Sequence, residues 1–337
     1  MLDLSSRPLL ASALDQGLFV DRERELDALE RAARARLNAL VVGERGAGKT
    51  SLLHQLERRL ESDEEVEPVF VEGSRRAERP EELLSLLAYR LGADPTSFSH
   101  LAETVHPVRS PRTATEQLLR TLRAIREAIE QRERRPLLIL DELPSGDVAH
   151  VLFGQLRDEL WSLPATWVVA TERGEQASFL RPPASAFFET VVTLSPLPAA
   201  DALELLRRRT SDEKPPQGLL EKLAAAGEGN PRRLVGLARE VLLEGQSLEE
   251  TAGARAALRE RARELGEAAA RIVGYLEANG AASASDERML AELGWSRSRA
   301  TQVLRELEQA GLVEPANERA ESGRRKVYAL TQARIGR

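Results

Sequence analysis

Gly43-Glu44-Arg45-Gly46-Ala47-Gly48-Lys49-Thr50 decides how this chain reads. The stretch matches G-x-x-x-x-G-K-[ST], and its flanks give the pattern a physical context. Before it, Leu37 to Val42 (LNALVV) is a short apolar run suited to a strand buried on both faces. After it, Leu52, Leu53, Leu56 and Leu60 recur on one side of a helix that starts near Lys49. Glycines at this junction let backbone N–H groups curl around a phosphate, and the helix N-terminus adds positive partial charge. Lys49 brings a compact cation to the β- and γ-phosphates, and the Thr50 hydroxyl is a ligand for Mg²⁺. The candidate phosphate contacts are Gly43, Gly46, Gly48, Lys49, Thr50 and Ser51.

Outward from this loop, apolar strands and helices alternate. Strands are expected at Pro68 to Val71, Pro136 to Leu140, Thr166 to Ala170 and Thr190 to Leu194. Helices are expected at Asp21 to Arg36, Glu81 to Leu91, Thr113 to Arg132 and Asp147 to Leu163. Such alternation predicts an α/β fold with a parallel sheet covered on both faces. Residues 92–112 carry the loop residues of an insertion. Leu137-Leu138-Ile139-Leu140-Asp141-Glu142 ends one strand on two carboxylates, at the strand end where open α/β sheets bind ligands. Asp141 is the candidate Mg²⁺ holder, and Glu142 is the candidate base that orients and deprotonates an attacking water.

Composition removes several classes. The 337 residues include no cysteine, so disulfides, thiol nucleophiles and thiolate metal sites are excluded. The histidines (His54, His100, His106, His150) lack metal-ligand spacing. No apolar run approaches the ~20 residues of a membrane span. The N-terminus lacks a secretory pattern, so a cytoplasmic protein is expected. With 48 basic and 54 acidic residues the net charge is −6, which argues against coating nucleic acid but permits a local basic patch. Only Lys49, Lys214, Lys222 and Lys326 are lysines; the other basic residues are arginines.

These motifs resemble the AAA+ ATPases, in the branch that holds the origin-recognition initiators and the STAND signalling NTPases. The resemblance covers roughly residues 18–245. It implies ATP or ADP with Mg²⁺ as cofactors. Leu18 to Leu26 (LFVDREREL) resembles the hhGRexE segment that lies by the adenine, with Asp21 in place of the usual glycine. This puts Val20 and Arg22 in the nucleotide-binding set. Trp167 to Arg173 (WVVATER) resembles the sensor-1 strand; initiators would place the sensor at Thr171, STAND proteins at Arg173, and both stay open. Gly229-Asn230-Pro231-Arg232 resembles the sensor-2 segment of a helical lid, with Arg232 reaching the γ-phosphate. Arg181 sits near where the family places a trans-acting arginine finger.

The strand signal stops near Pro198. Four domains are therefore expected: an N-terminal tail at 1–19, the ATPase core at 20–196, an α-helical lid at 197–264, and a winged helix-turn-helix at 265–337. In the last, Ala269, Ile272, Val273 and Leu276 mark helix one, and Ser285 is placed to cap helix two with Met289, Leu290 and Leu293. Ser296 caps helix three, which buries Ala300, Val303, Leu304 and Leu307. Its other face shows Ser298, Gln302, Arg305 and Gln309, with Arg297 and Arg299 at its start. A hairpin carrying Arg324, Arg325 and Lys326 forms the wing. Residues 266–337 hold eleven basic and ten acidic residues, so the positive charge is clustered rather than abundant. The candidate DNA contacts are Arg297, Ser298, Arg299, Gln302, Arg305, Arg324, Arg325 and Lys326.

The resulting expectation is an ATPase whose nucleotide state controls a winged helix on double-stranded DNA, with oligomers forming on ATP or DNA and no membrane partner. Two alternatives accompany it. One is a STAND-type switch whose winged helix contacts a protein partner or inhibits the core; the other is a transposition or DNA-remodelling ATPase.

Overall fold

The computed structural model describes residues 2–72, 74, 77, 79–93, 111–143, 146–211, 215–286, 289–290, 293–320 and 323–331. Side chains are described for these except at 111–115, 117, 146–147, 249–256, 278, 316–320 and 323–325. The chain divides into two compact units, Arg7–Pro196 and Met1–Ser6 with Leu197–Arg337.

The Arg7–Pro196 unit is built on five strands, β1 (Ala39–Gly43), β2 (Val66–Val71), β3 (Arg135–Leu140), β4 (Thr166–Glu172) and β5 (Thr190–Leu194). All pair in parallel in the order β2-β3-β4-β1-β5. Successive side chains on a strand point to opposite faces, so a strand covered on both sides must be apolar throughout. On β1, Leu40 and Val42 enter one core cluster while Ala39 and Val41 enter the other. Likewise Leu138 and Leu140 of β3 face one cluster, and Leu137 and Ile139 the other.

Helices α1 (Ala13–Leu18), α2 (Glu23–Arg34), α3 (Lys49–Leu60), α4 (Pro80–Arg90) and α5 (Pro111–Glu130) supply most of the cover. Leu26 and Leu29 of α2 pack with Leu52, Leu53, Leu56 and Leu60 of α3 on one face. Leu83, Leu84 and Leu87 of α4 pack with Leu122, Ile125 and Ile129 of α5 on the other. Burial of each such side chain contributes about 1.5–3 kcal/mol.

Three expectations change here. The single helix expected at 147–163 is α6 (Gly146–His150), a π-helical turn at Val151–Gln155, and α7 (Arg157–Trp161). The Leu156 N–H reaches back five residues to the Val151 carbonyl at 2.8 Å. This turn seats Phe153 among Trp167, Phe179, Phe187 and Phe188, with ring centroids 4.9–6.3 Å away. Gly154 meets Pro183: a Cβ there would lie 3.3 Å from its Cγ. The strand expected from Leu37 begins at Ala39. The Asn38 side-chain oxygen instead accepts the Trp167 N–H at 3.0 Å, and its carbonyl accepts the N–H groups of Glu189 and Thr190.

The N-terminal stretch expected as a tail is also built into the fold. Asp15 is buried, and its carboxylate accepts both ends of the Arg7 guanidinium at 2.7 and 2.8 Å and the Leu10 N–H at 2.9 Å. Short α8 (Gln176–Leu180) completes this unit. The insertion expected at 92–112 lies outside the described residues over 94–110.

The other unit holds α9 (Ala199–Arg209), α10 (Leu219–Ala226), α11 (Pro231–Leu242), α12 (Leu248–Glu264), α13 (Glu267–Asn279) and α14 (Arg297–Gln309). It ends in an antiparallel hairpin of β6 (Val313–Ala320) and β7 (Gly323–Leu330). Residues 289–290 and 293 are helical between α13 and α14. One core joins Ile272, Val273 and Leu276 of α13 with Met289 and Leu293, with Ala300, Val303, Leu304 and Leu307 of α14, and with Tyr328 of the hairpin. Ala262 of α12 enters the same core, so these elements pack on the end of α12 as well. Ser296 caps α14 as expected, accepting the Arg299 N–H at 3.4 Å. The cap expected from Ser285 falls to Asp286, whose carboxylate accepts the Met289 N–H at 3.1 Å. Ser285 is instead held by its neighbour: its N–H donates to the Ser283 hydroxyl.

Candidate nucleotide site

The loop between β1 and α3 lies at the C-terminal end of the sheet. Gly46 and Gly48 adopt φ of +80° and +96°, left-handed conformations that favour glycine. Gly43 is needed for space instead: a Cβ there would lie 3.2 Å from the Leu194 Cβ of β5. The loop therefore presents backbone rather than side chains to its concave face.

Lys49 is only 3% exposed. Its ammonium donates to the Gly43 and Glu44 carbonyls at 3.1 and 3.2 Å, and lies 3.4 Å from the Glu142 carboxylate. Thr50 turns its hydroxyl to Asp141, with carboxylate oxygens at 2.9 and 3.1 Å. Thus the two candidate carboxylates, some ninety residues away in sequence, meet the two key side chains of the loop. The spatial cause is sheet order: β3 and β1 flank β4, so their ends converge across one strand.

Two features hold the carboxylates. Glu142 has φ of +49°, a left-handed conformation that is strained for a residue with a Cβ. The peptide carbonyl just before it, that of Asp141, accepts the hydroxyl of Ser74 at 2.8 Å. Ser74 is 1% exposed. It lies past the end of β2, which pairs with β3 through Val71 and Leu140. Its hydroxyl continues that pairing where the backbone ladder stops. Sequence reading missed Ser74, because a serine in Glu72-Gly73-Ser74-Arg75 carries no local signal of this partner.

The oxygen donors suit a hard divalent cation bound chiefly through phosphates. Among the described residues no group of three or more His, Asp or Glu side chains forms a metal cluster. A hydroxyl and a carboxylate beside a phosphate cradle are what such a shared cation needs.

The sensor candidates separate. Thr171 pairs with Val42 across β4 and β1, is fully buried, and its hydroxyl has no partner among the described residues. Arg173 follows the strand, is half-exposed, and lies 4.0 Å from Glu44 of the phosphate loop. Val20 is buried. Arg22 is buried too, but its guanidinium donates to Glu25 at 2.9 Å and to the Ser195 carbonyl. It serves the end of β5, so a side-chain contact with a nucleotide would require giving up these bonds. The Ser51 hydroxyl accepts the Leu9 N–H at 3.0 Å, which ties the N-terminal segment to the first turn of α3. Arg181 is exposed in the connection before β5.

Arg232 is exposed in the first turn of α11, where the Asn230 side chain accepts the Arg233 N–H at 3.2 Å. Arg297, Ser298, Arg299, Gln302 and Arg305 are all exposed on α14. Arg299 stacks over Trp295 at 4.7 Å, and Arg271 approaches the same ring at 5.5 Å. Lys326 pairs with Glu308 at 3.0 Å, which raises its pKa. It also lies 4.8 Å over the Tyr328 ring. Arg324 and Arg325 belong to β7, and their side chains lie outside the described residues.

A parallel sheet in this order, with the phosphate loop after β1 and the Asp-Glu pair after β3, defines the class: an α/β P-loop ATPase fold. The family described as an ATPase domain predominantly from Archaea matches residues 19–155. Among solved structures, a Walker-type ATPase of Pyrococcus abyssi is similar at 19% identity and a TM-score of 0.52, covering 97% of each chain. The Orc1 protein of Aeropyrum pernix, solved in complex with DNA, is similar at 23% identity and a TM-score of 0.50, covering 93% of this chain and 90% of that one. Cdc6p from Pyrobaculum aerophilum follows at 17% identity and 0.50, covering 94% and 93%. No curated protein sequence matches. The chain thus shares the overall fold of these solved structures. Among the described residues no helix is long and apolar enough to cross a membrane.

Proposed function

We propose that the chain is an ATP-hydrolysing switch, and that its nucleotide state controls a C-terminal winged helix holding duplex DNA. The observation that carries the ATPase reading is the paired geometry of Thr50 with Asp141 and Lys49 with Glu142. In this reading the loop amides and Lys49 bind the β- and γ-phosphates of ATP, and Thr50 and Asp141 hold Mg²⁺. Held there, Mg²⁺ would supply positive charge to the phosphates. Lys49 then leaves the loop carbonyls for the phosphates, and Glu142 is released to take a proton from the attacking water. Arg173, beside the phosphate loop, is the contact we assign to the γ-phosphate.

The domain reading follows the same lines: a helical lid over 197–264, which carries Arg232 as the candidate sensor-2 residue, and a winged helix over 265–337. Helices at Glu267–Asn279 and Arg297–Gln309, helical residues at 289–290 and 293 between them, and the β-hairpin that follows support it. So does a short bridge between Ala282 and Tyr328, which adds a third extended segment to the hairpin. Arg297, Arg299 and Arg305 on α14, with Arg324, Arg325 and Lys326 on the hairpin, would meet the phosphates and groove of duplex DNA. The DNA-bound solved structure of similar fold supports this choice over a protein partner.

The test is the ATPase rate of the full chain with and without duplex DNA, alongside direct DNA binding across a salt series. Coupling predicts turnover that changes on adding duplex and affinity that falls steeply with salt. Turnover without any duplex binding would favour the STAND-type reading.

A further inference from the structure

The face of α14 that this proposal turns toward DNA is not uniformly basic. It forms a shallow open groove of about 590 Å³, lined in part by Gln302, Arg305 and Glu306. The two carboxylates of α14 are treated differently. Glu308 is neutralised by Lys326 at 3.0 Å. Glu306 is exposed and accepts the Gln302 side-chain N–H at 3.0 Å, but pairs with no cation among the described residues.

A carboxylate held against a polyanion is repelled by every phosphate nearby. It recovers that cost only where it meets a hydrogen-bond donor. The major groove offers donors at just two places, the amino groups of adenine and cytosine. A carboxylate suits cytosine N4, because it accepts and has nothing to donate to the neighbouring acceptor that adenine presents. Gln302 fixes the rotamer of Glu306 one turn away, so the acceptor is pre-positioned. Arg305, adjacent on the helix, offers a two-pronged donor suited to guanine O6 and N7.

Resting on the DNA reading above, we infer that Glu306 is a base-reading residue that selects a cytosine in the major groove, and that the chain is a sequence-selective duplex binder. A protein that only grips the backbone would gain by losing this carboxylate. A base reader keeps affinity for generic duplex on losing it and forfeits selectivity.

The experiment selects full-length protein on a randomised duplex library, for the natural chain and for Glu306→Ala. Affinities for the selected duplex and a scrambled one are then compared at a single salt concentration. The natural chain should enrich cytosine at one position and discriminate against its replacement by about tenfold. Glu306→Ala should bind scrambled duplex at least as tightly and lose the preference at that position. Its melting temperature should be unchanged, since the side chain is exposed. Duplex binding without base preference, or a preference that survives Glu306→Ala, overturns the inference and leaves the DNA reading standing. Absence of any duplex binding overturns the DNA reading, and the inference with it.

Discussion

The Ser74 hydroxyl donates to the Asp141 carbonyl at 2.8 Å, and so fixes the peptide that joins the two carboxylates of the nucleotide site. Rotation of that peptide would redirect Glu142, whose left-handed backbone is already strained. Ser74→Ala should therefore lower kcat by about tenfold, while nucleotide Kd stays within about twofold. Ser74→Thr, which keeps the hydroxyl, should restore turnover. A Ser74→Ala protein that loses nucleotide binding and turnover equally would mean the residue only stabilises the fold.

Lys49 and Glu142 lie 3.4 Å apart, yet should fail differently when replaced. Lys49→Ala removes the phosphate-facing cation and should weaken ATP binding at least tenfold, read by nucleotide titration. Glu142→Gln keeps the shape but cannot take a proton. It should hold ATP and lose turnover by at least a hundredfold. Normal hydrolysis by Glu142→Gln would overturn its assignment as the base.

Thr171, near the end of β4, and Arg173, just past it, sit in opposite environments. The buried Thr171 hydroxyl has no partner among the described residues, a cost of about 1–3 kcal/mol if left so. Thr171→Val is close to isosteric. It should leave turnover nearly unchanged and raise stability by up to about 1 kcal/mol. Arg173→Ala should leave stability alone and reduce the preference for ATP over ADP by about tenfold. The reverse pattern in paired ATPase and melting assays would move the sensor to Thr171.

Asp15 links charge to acid stability. Its hydrogen bonds to Arg7, chiefly, hold its pKa down at about 2 from an ordinary 3.8. A carboxylate with a depressed folded-state pKa stabilises the fold above its unfolded value and loses that contribution as pH falls through the folded one. The window here is roughly pH 4 down to 2, and the full contribution is on the order of 2 kcal/mol. Asp15→Asn should thus lower Tm clearly at pH 6, and the gap should close near pH 2. A gap independent of pH would show that shape, not charge, carries the effect.

The strands and the phosphate loop were legible because their causes are local. β1 and the Leu137–Leu140 run of β3 are apolar at every position, and the loop glycines sit beside the lysine they serve. The expected strand at Thr190 to Leu194 has the same bounds in the structure. What sequence did not show depends on partners distant in the chain. Ser74 meets Asp141, Leu9 meets Ser51, and Arg22 meets Ser195 only after the sheet has formed. Even the start of β1 shifted, because the Asn38 side chain bonds to Trp167. The π-helical turn places Phe153 against aromatic rings from three other segments of the chain. Helical periodicity alone does not signal it.

The N-terminal segment has a practical consequence for anyone dividing the chain. Residues 1–6 group with Leu197–Arg337, while residues from Arg7 onward group with the sheet. Leu2 bridges Thr210, the Asp3 N–H donates to the Arg209 carbonyl at 2.9 Å, and the buried Arg209 guanidinium donates to the Asp3 carbonyl. An expression fragment starting at 197 would leave that guanidinium buried without Asp3. The natural cut for the sheet unit is at residue 7. The helical unit is discontinuous, and recovering it alone calls for grafting residues 1–6 back, by a linker or as an added peptide.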